Sequence, residues 1–137
     1  MQLLGLVWTK APASELRTAM VKLLADQRPD GGWAQLSTLE TDAYATGQAL
    51  VALEAAGHPV SSAEFRRGVS FLMRTQFADG SWHVRSRTFP LQPLHDTGFP
   101  HGNDQWISAA GTSWATMALS LALPAEATCA RASGGCD

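Results

Sequence analysis

This chain has no apolar run near the roughly 20 residues that a bilayer-spanning helix needs, so no membrane span is expected. It has no basic excess either: ten Lys and Arg stand against twelve Asp and Glu, a formal charge of −2. The electrostatic footprint of a nucleic-acid binder is therefore missing. Cysteine is scarce, and the only two, Cys129 and Cys136, sit in a Gly-, Ser- and Ala-rich tail with no second Cys or His pair beside them to make a zinc spacing. At this level they are open to two readings, a disulfide in an oxidising compartment or two free thiols, and the compartment stays open with them. Charged residues make up 16% of the chain and hydrophobic ones 45%, the balance of a globular chain of single-domain length. The start, Met1 to Trp8, is apolar without a positive flank. It reads as the end of a truncated helix rather than as a secretory leader.

What is present is a repeat. Gln27-Arg-Pro-Asp-Gly31-Gly-Trp33 and Gln76-Phe-Ala-Asp-Gly80-Ser-Trp82 share Gln, Asp, Gly and Trp, each displaced by 49 residues. Four identities at fixed spacing mark a repeat architecture, in which one supersecondary unit recurs and stacks on its neighbour.

Between the motifs the hydrophobic period is helical. Leu16, Met20, Leu23 and Leu24 form one stripe on a helix that Ser14 is placed to cap. Residues 41–56 are apolar nearly all round, which implies burial on more than one side, and Gly57 and Pro59 end the segment. Ser61-Ser-Ala-Glu64 has capping-box spacing and opens a third helix with Phe65, Val69, Leu72 and Met73 on one face and Arg66, Arg67 and Arg74 left wet. A fourth helix, residues 105–122, is again apolar all round and stops at Pro124. The order amphipathic, apolar, amphipathic, apolar predicts an all-α chain of outer–inner hairpins, the first over residues 14–57 and the second over 61–123, in one domain of residues 1–124 with a flexible tail at 125–137.

The apolar helices repeat as well. Ala45-Thr46-Gly-Gln-Ala49-Leu-Val-Ala52-Leu53 aligns with Gly111-Thr112-Ser-Trp-Ala115-Thr-Met-Ala118-Leu119, but at an offset of 66. The excess of 17 over the motif offset is an insertion that takes up most of residues 84–103. A connection of that length in a compact repeat is usually functional or disordered.

Arg67-Gly68-Val-Ser-Phe71-Leu72-Met-Arg-Thr-Gln76-Phe-Ala-Asp-Gly80-Ser-Trp82 resembles the QW motif of the squalene-hopene and oxidosqualene cyclases. The first copy keeps Gln27, Gly31 and Trp33, with Lys22 at the position where the family prefers an aromatic. The resemblance covers residues 14–122 and implies part of an α/α toroid, the fold also used by protein prenyltransferase β subunits. It further implies a structural role for Gln27, Gly31, Trp33, Gln76, Gly80 and Trp82, with each Gln capping a neighbouring helix end and each Trp stacked against it. The family's acid motif, Asp-x-Asp-Asp, does not occur in this sequence, and neither cysteine follows an Asp by two positions as the prenyltransferase zinc site requires. No catalytic residue and no cofactor are therefore assigned, and whether the chain is itself an enzyme stays open.

Candidate binding residues lie elsewhere. Tyr44, Trp106 and Trp114 are placed to line the apolar concave side, and Arg85 and Arg87 in the insertion would suit an anionic group. His95, Asp96, His101 and Asp104 have donor types that suit zinc, but Asn103 and Asp104 as caps of the fourth helix explain that end of the insertion without a metal. Ser108 and Ser113 are expected to bond back to carbonyls one turn earlier rather than join His101 and Asp96 in a nucleophilic site.

Two functions remain. One is a cyclase-like repeat module without independent catalysis, which binds an isoprenoid-like hydrophobic ligand or the rest of a larger protein. The other is a fragment of a squalene-hopene-type cyclase whose acid lies on other sequence. Two hairpins leave inner helices uncovered, so self-association or packing on the remainder of a longer chain is expected.

Overall fold

Two helical hairpins stand side by side, each an outer helix, a motif turn, an extended stretch and an inner helix. The computed structural model describes residues 2–87 and 95–123, so Pro124, Cys129, Cys136 and residues 88–94 of the insertion lie outside the described residues. Among the described residues all regular structure is helical: α1 (Gln2–Trp8), α2 (Ala13–Ala25), α3 (Ala43–Ala55), α4 (Ala63–Thr75) and α5 (Gln105–Leu121), with a 3-10 turn at Gly102–Asp104 before α5. None of these helices is long and apolar enough to cross a membrane. The chain is the α/α-hairpin arrangement that its periodicities predict.

α2 and α4 are the outer helices. On α4 the stripe of Phe65, Gly68, Phe71 and Leu72 is buried, while on α2 the stripe of Leu16, Met20, Leu23 and Leu24 is only partly buried against the core. α3 is the centre of the molecule and packs on α1, α4 and α5. Its all-round apolar composition follows from having neighbours on three sides. α3 and α5 approach most closely at Gly47, where an added Cβ would lie 2.5 Å from the carbonyl carbon of Trp114.

α1 ends in the manner of an inner helix. Its end is closed as α3's is: Lys10 N–H donates to Val7 O and Ala11 N–H to Leu6 O, while Gly57 N–H donates to Glu54 O and His58 N–H to Leu53 O. Both ends are Schellman closures with a left-handed residue at the turn, Lys10 at φ 54 and Gly57 at φ 83.

The starts of α2 and α4 differ from the expected caps, and α3 has a cap for which none was expected. α2 begins at Ala13 with Pro12 as its N-cap and no side-chain cap bond, because proline's fixed φ already sets the entry and leaves Ser14 inside the first turn. Ser62 rather than Ser61 caps α4, accepting from Phe65 N–H. α3 is capped by Asp42, whose carboxylate accepts from Ala45 N–H at 2.7 Å.

The contact at Gly47 leads to a stability prediction. Gly47→Leu forces α3 and α5 apart and is expected to lower unfolding free energy by about 1–3 kcal/mol, the usual cost of overpacking. Urea denaturation of the variant against the parent chain measures it.

Candidate functional site

The two motifs are superposable hydrogen-bond circuits. In the first, Gln27 Nε2 donates to Gly31 O at 2.8 Å, Gly32 N–H to Asp30 Oδ1 at 3.1 Å, and Arg28 N–H to Gly32 O at 2.9 Å. In the second, Gln76 Nε2 donates to Gly80 O at 3.0 Å, Ser81 N–H to Asp79 Oδ1 at 2.9 Å, and Phe77 N–H to Ser81 O at 2.9 Å. Gly31 and Gly80 sit at φ 91 and 85, a left-handed conformation that makes glycine the residue of choice at this point of the turn.

Each tryptophan ties its own hairpin together. Trp33 Nε1–H donates to Leu23 O at 2.7 Å and Trp82 Nε1–H to Leu72 O at 2.9 Å, both carbonyls in the last turn of an outer helix, where the backbone ladder runs out of N–H donors. On the other side Trp33 N–H donates to Thr46 Oγ1 at 3.0 Å and Trp82 N–H to Thr112 Oγ1 at 3.1 Å. The indole thus caps the outer helix, and a hydroxyl of the inner helix holds the tryptophan backbone.

The glutamines do something other than the capping implied by the family resemblance. Gln27 Nε2 reaches across to Glu64 O in the first turn of α4 at 2.8 Å, and its Oε1 accepts from Arg67 at 2.6 Å. Glu64 O lies inside the helix ladder, so this bond docks one hairpin on the next and relieves no orphan group. Gly31 lies under the same helix, where an added Cβ would stand 2.6 Å from Arg67 O. Among the described residues Gln76 makes only the bond within its own turn, and Gly80 faces nothing but that glutamine.

The end of the insertion is fastened to the second motif. Ser81 Oγ donates to Asp79 Oδ1 at 2.7 Å, which leaves its lone pairs to accept from His101 Nε2–H at 2.8 Å. The proton balance therefore places hydrogen on His101 Nε2, so that nitrogen is no base for Ser81, itself buried at 4% exposure. The His101 ring also lies edge-on to Phe77, with centroids 5.1 Å apart. Asp104 accepts from His83 Nε2 at 2.7 Å and from Ser86 N–H at 2.8 Å. It makes no side-chain cap bond to α5, and Asn103 lies within the 3-10 turn; the carboxylate is spent on the insertion instead.

These bonds shift two carboxylates. Hydrogen bonds from the Ser81 side chain and backbone hold Asp79 below the ordinary carboxylate range, and the hydrogen bond from His83, followed by that from Ser86 N–H, does the same for Asp104.

The remaining sequence candidates are dispersed. Tyr44 and Arg87 line one groove of about 470 Å3 between α2 and α3, where Arg87 donates to Gln35 Oε1. Trp106 is exposed at the start of α5, Trp114 is half-buried further along it, and Arg85 is exposed. His95 and Asp96 lie in exposed loop, and no group of three or more His, Cys, Asp or Glu among the described residues is arranged to hold a metal ion. Ser113 bonds back to Ala109 O at 2.9 Å as expected. Ser108 does not: it is buried and accepts from Val84 N–H at 3.0 Å. Sequence reasoning missed Ser81 as the serine beside His101; its place in the motif, two residues after Asp79, was the available signal.

A pH dependence follows from the lowered carboxylates. A depressed folded-state pKa contributes stability above the ordinary carboxylate pKa of about 4 that is lost as pH falls through the folded value. Asp104→Asn is expected to flatten the decline in unfolding free energy below about pH 4, measured by urea titrations at a series of acid pH values.

The paired Gln-to-Trp turns, with the indole on the outer helix and the hydroxyl on the inner one, have a counterpart among known proteins. The family model for the squalene-hopene cyclase C-terminal domain matches residues 1–135, and the chain belongs to that family.

Proposed function

We propose that the chain is a scaffold module of a terpenoid-cyclase-type helical ring, and that its second motif receives the next outer helix of a larger protein. The observation that supports this is a difference between equivalent residues of the two hairpins. Leu24, Gln27, Leu50 and Val51 are buried or half-buried, whereas their counterparts Met73, Gln76, Thr116 and Met117 are exposed. In the first hairpin these positions are covered by α4 and α5; in the second the same apolar and amide groups face outward. Exposed apolar surface grouped in this way is the mark of an interaction face.

The first hairpin also supplies the bonding scheme. The incoming helix offers a first-turn carbonyl to the glutamine amide, as Glu64 does to Gln27, and a backbone that crosses the glycine, as Arg67 does over Gly31. A hydrophobic small molecule is the weaker reading, because Tyr44, Trp106 and Trp114 do not converge on one cavity. With no Asp-x-Asp-Asp acid in the sequence, the module's part in a cyclase is to hold neighbouring helices in register while the reacting groups come from elsewhere.

Gln27→Ala is expected to lower the unfolding free energy of this chain by about 1–3 kcal/mol, since it removes three hydrogen bonds, two of them part-buried. Gln76→Ala changes it by less than about 0.5 kcal/mol. Joined to a following hairpin of the same family, the protein is expected to lose as much from Gln76→Ala as from Gln27→Ala. Continued neutrality of Gln76→Ala in that longer protein would sink the proposal.

A further inference from the structure

α4 carries Arg66, Arg67 and Arg74, and all three, with Ser70, line one open hollow of about 580 Å3 whose other wall includes Asp30 and Gly31 of the first motif turn. This set of donors is not a demand of the scaffold. Moved back by the motif offset of 49, Arg66, Arg67, Ser70 and Arg74 become Arg17, Thr18, Val21 and Ala25. α2 therefore serves as an outer helix with one arginine where α4 has three.

The charges in the hollow are held in place but not neutralised. Arg67 donates to the amide oxygen Oε1 of Gln27 at 2.6 Å and Arg74 to the backbone oxygen of Asp30, both uncharged acceptors. The Phe71 ring, 5.5 Å from the guanidinium carbon, backs Arg74. A guanidinium has five N–H donors, so each of these keeps most of its fork for a further acceptor. The Arg66 side chain and the Ser70 hydroxyl have no hydrogen bond or ion pair among the described residues. Other helix-borne hydroxyls here, Thr18, Thr75, Ser113 and Thr116, bond back to a carbonyl one turn earlier. The opposing charges are Asp30, whose Oδ1 accepts from Gly32 N–H, and Glu64, 4.0 Å from Arg67. Three guanidinium groups against two carboxylates leave the hollow positive on a chain of formal charge −2.

We propose that this hollow binds a soluble oxyanion of the phosphate class across the joint between the two hairpins. Planar guanidinium forks pair with phosphate oxygens through parallel charge-assisted bonds, and three forks with a hydroxyl match an acceptor that has several oxygens and more than one charge. A carboxylate, with two oxygens and a single charge, uses too little of this set. One wall of the hollow belongs to each hairpin, so the anion fastens α4 to the first motif turn and stabilises the folded chain by mass action. The joint is the one already closed at Gln27, so the site is independent of the role of Gln76.

The whole chain is melted in sodium phosphate and in sodium chloride of equal ionic strength, and phosphate binding is measured by calorimetry. At about ten times its dissociation constant, phosphate is expected to raise Tm by roughly 3–6 °C over chloride. Phosphate also favours the compact state of any protein by exclusion from its surface, so the deciding comparison is Arg66→Gln. That side chain has no partner to lose, and the variant is expected to match the parent in chloride, to lose the extra rise and to bind phosphate about tenfold more weakly. Asp30→Asn keeps an oxygen for Gly32 N–H, removes an opposing charge and is expected to bind phosphate about twofold to fivefold more tightly. An equal Tm in the two salts, a rise that Arg66→Gln retains, or an unchanged affinity in Asp30→Asn would overturn the proposal. Sedimentation with phosphatidic acid vesicles and no response to inorganic phosphate would assign the arginines to a lipid headgroup and overturn it equally.

Discussion

The fold depends on the clasp at each motif tryptophan. An outer helix ends with carbonyls that its own ladder cannot satisfy, and the indole N–H of Trp33 or Trp82 takes one of them. The same residue's backbone N–H is held by a threonine of the inner helix. One side chain therefore joins the two layers of a hairpin with two bonds of about 1 kcal/mol each. Its apolar bulk matters more, since truncating a buried tryptophan costs about 3–5 kcal/mol. Both rings are 2% exposed, so the clasp is dry and the whole turn, from glutamine to glycine, is there to aim it.

Hairpins so clasped are self-contained units, and what joins one to the next is a different set of residues. Gln27, Gly31 and Asp30 receive α4: Glu64 O accepts from the amide, the Arg67 backbone crosses the glycine, and the Arg74 guanidinium donates to Asp30 O. The motif thus has an inward half, tryptophan and its hydroxyl partner, and an outward half, glutamine and glycine. The inward half works in both hairpins, while among the described residues the outward half has its partner in the first hairpin alone.

Much of this was legible in the sequence because it follows from periodicity. The helical stripes of α4 and the all-round apolar α3 and α5 set the layers, and the matched offsets set the hairpins. The role of the glutamine was not legible, because a family resemblance names the residue and the partner atom depends on how the next helix crosses it. Spacing alone points to Ser14 and Ser61 as caps. A proline just ahead of α2 moves its cap by two positions, from Ser14 to Pro12, and a second serine ahead of α4 moves its cap by one, from Ser61 to Ser62, both within what spacing leaves open. His101 and Ser81 are 20 residues apart and share no period, so their contact depends on a path through the insertion that no local pattern encodes.

The insertion is tolerated at this point because both its flanks are fixed before it begins and after it ends. Trp82 N–H bonds to Thr112 and Val84 N–H to Ser108, two hydroxyls one turn apart on α5. In the first hairpin the positions equivalent to Val84 and Ser108 are Gln35 and Asp42, and they too are joined, Gln35 Nε2 donating to Asp42 at 2.8 Å. The uninterrupted connection and the interrupted one therefore close with the same pair of positions, by amide and carboxylate in one and by backbone and hydroxyl in the other. Once that closure is made, added residues bear on the loop and leave the hairpin unstrained. The longer loop then needs its own fastening, and Asp104 supplies it by taking His83 and Ser86 at the exit of the extended stretch. A carboxylate at the start of α5 would ordinarily cap the helix; here holding the insertion against the motif has displaced that role, which is why the start of the longest helix carries no side-chain cap.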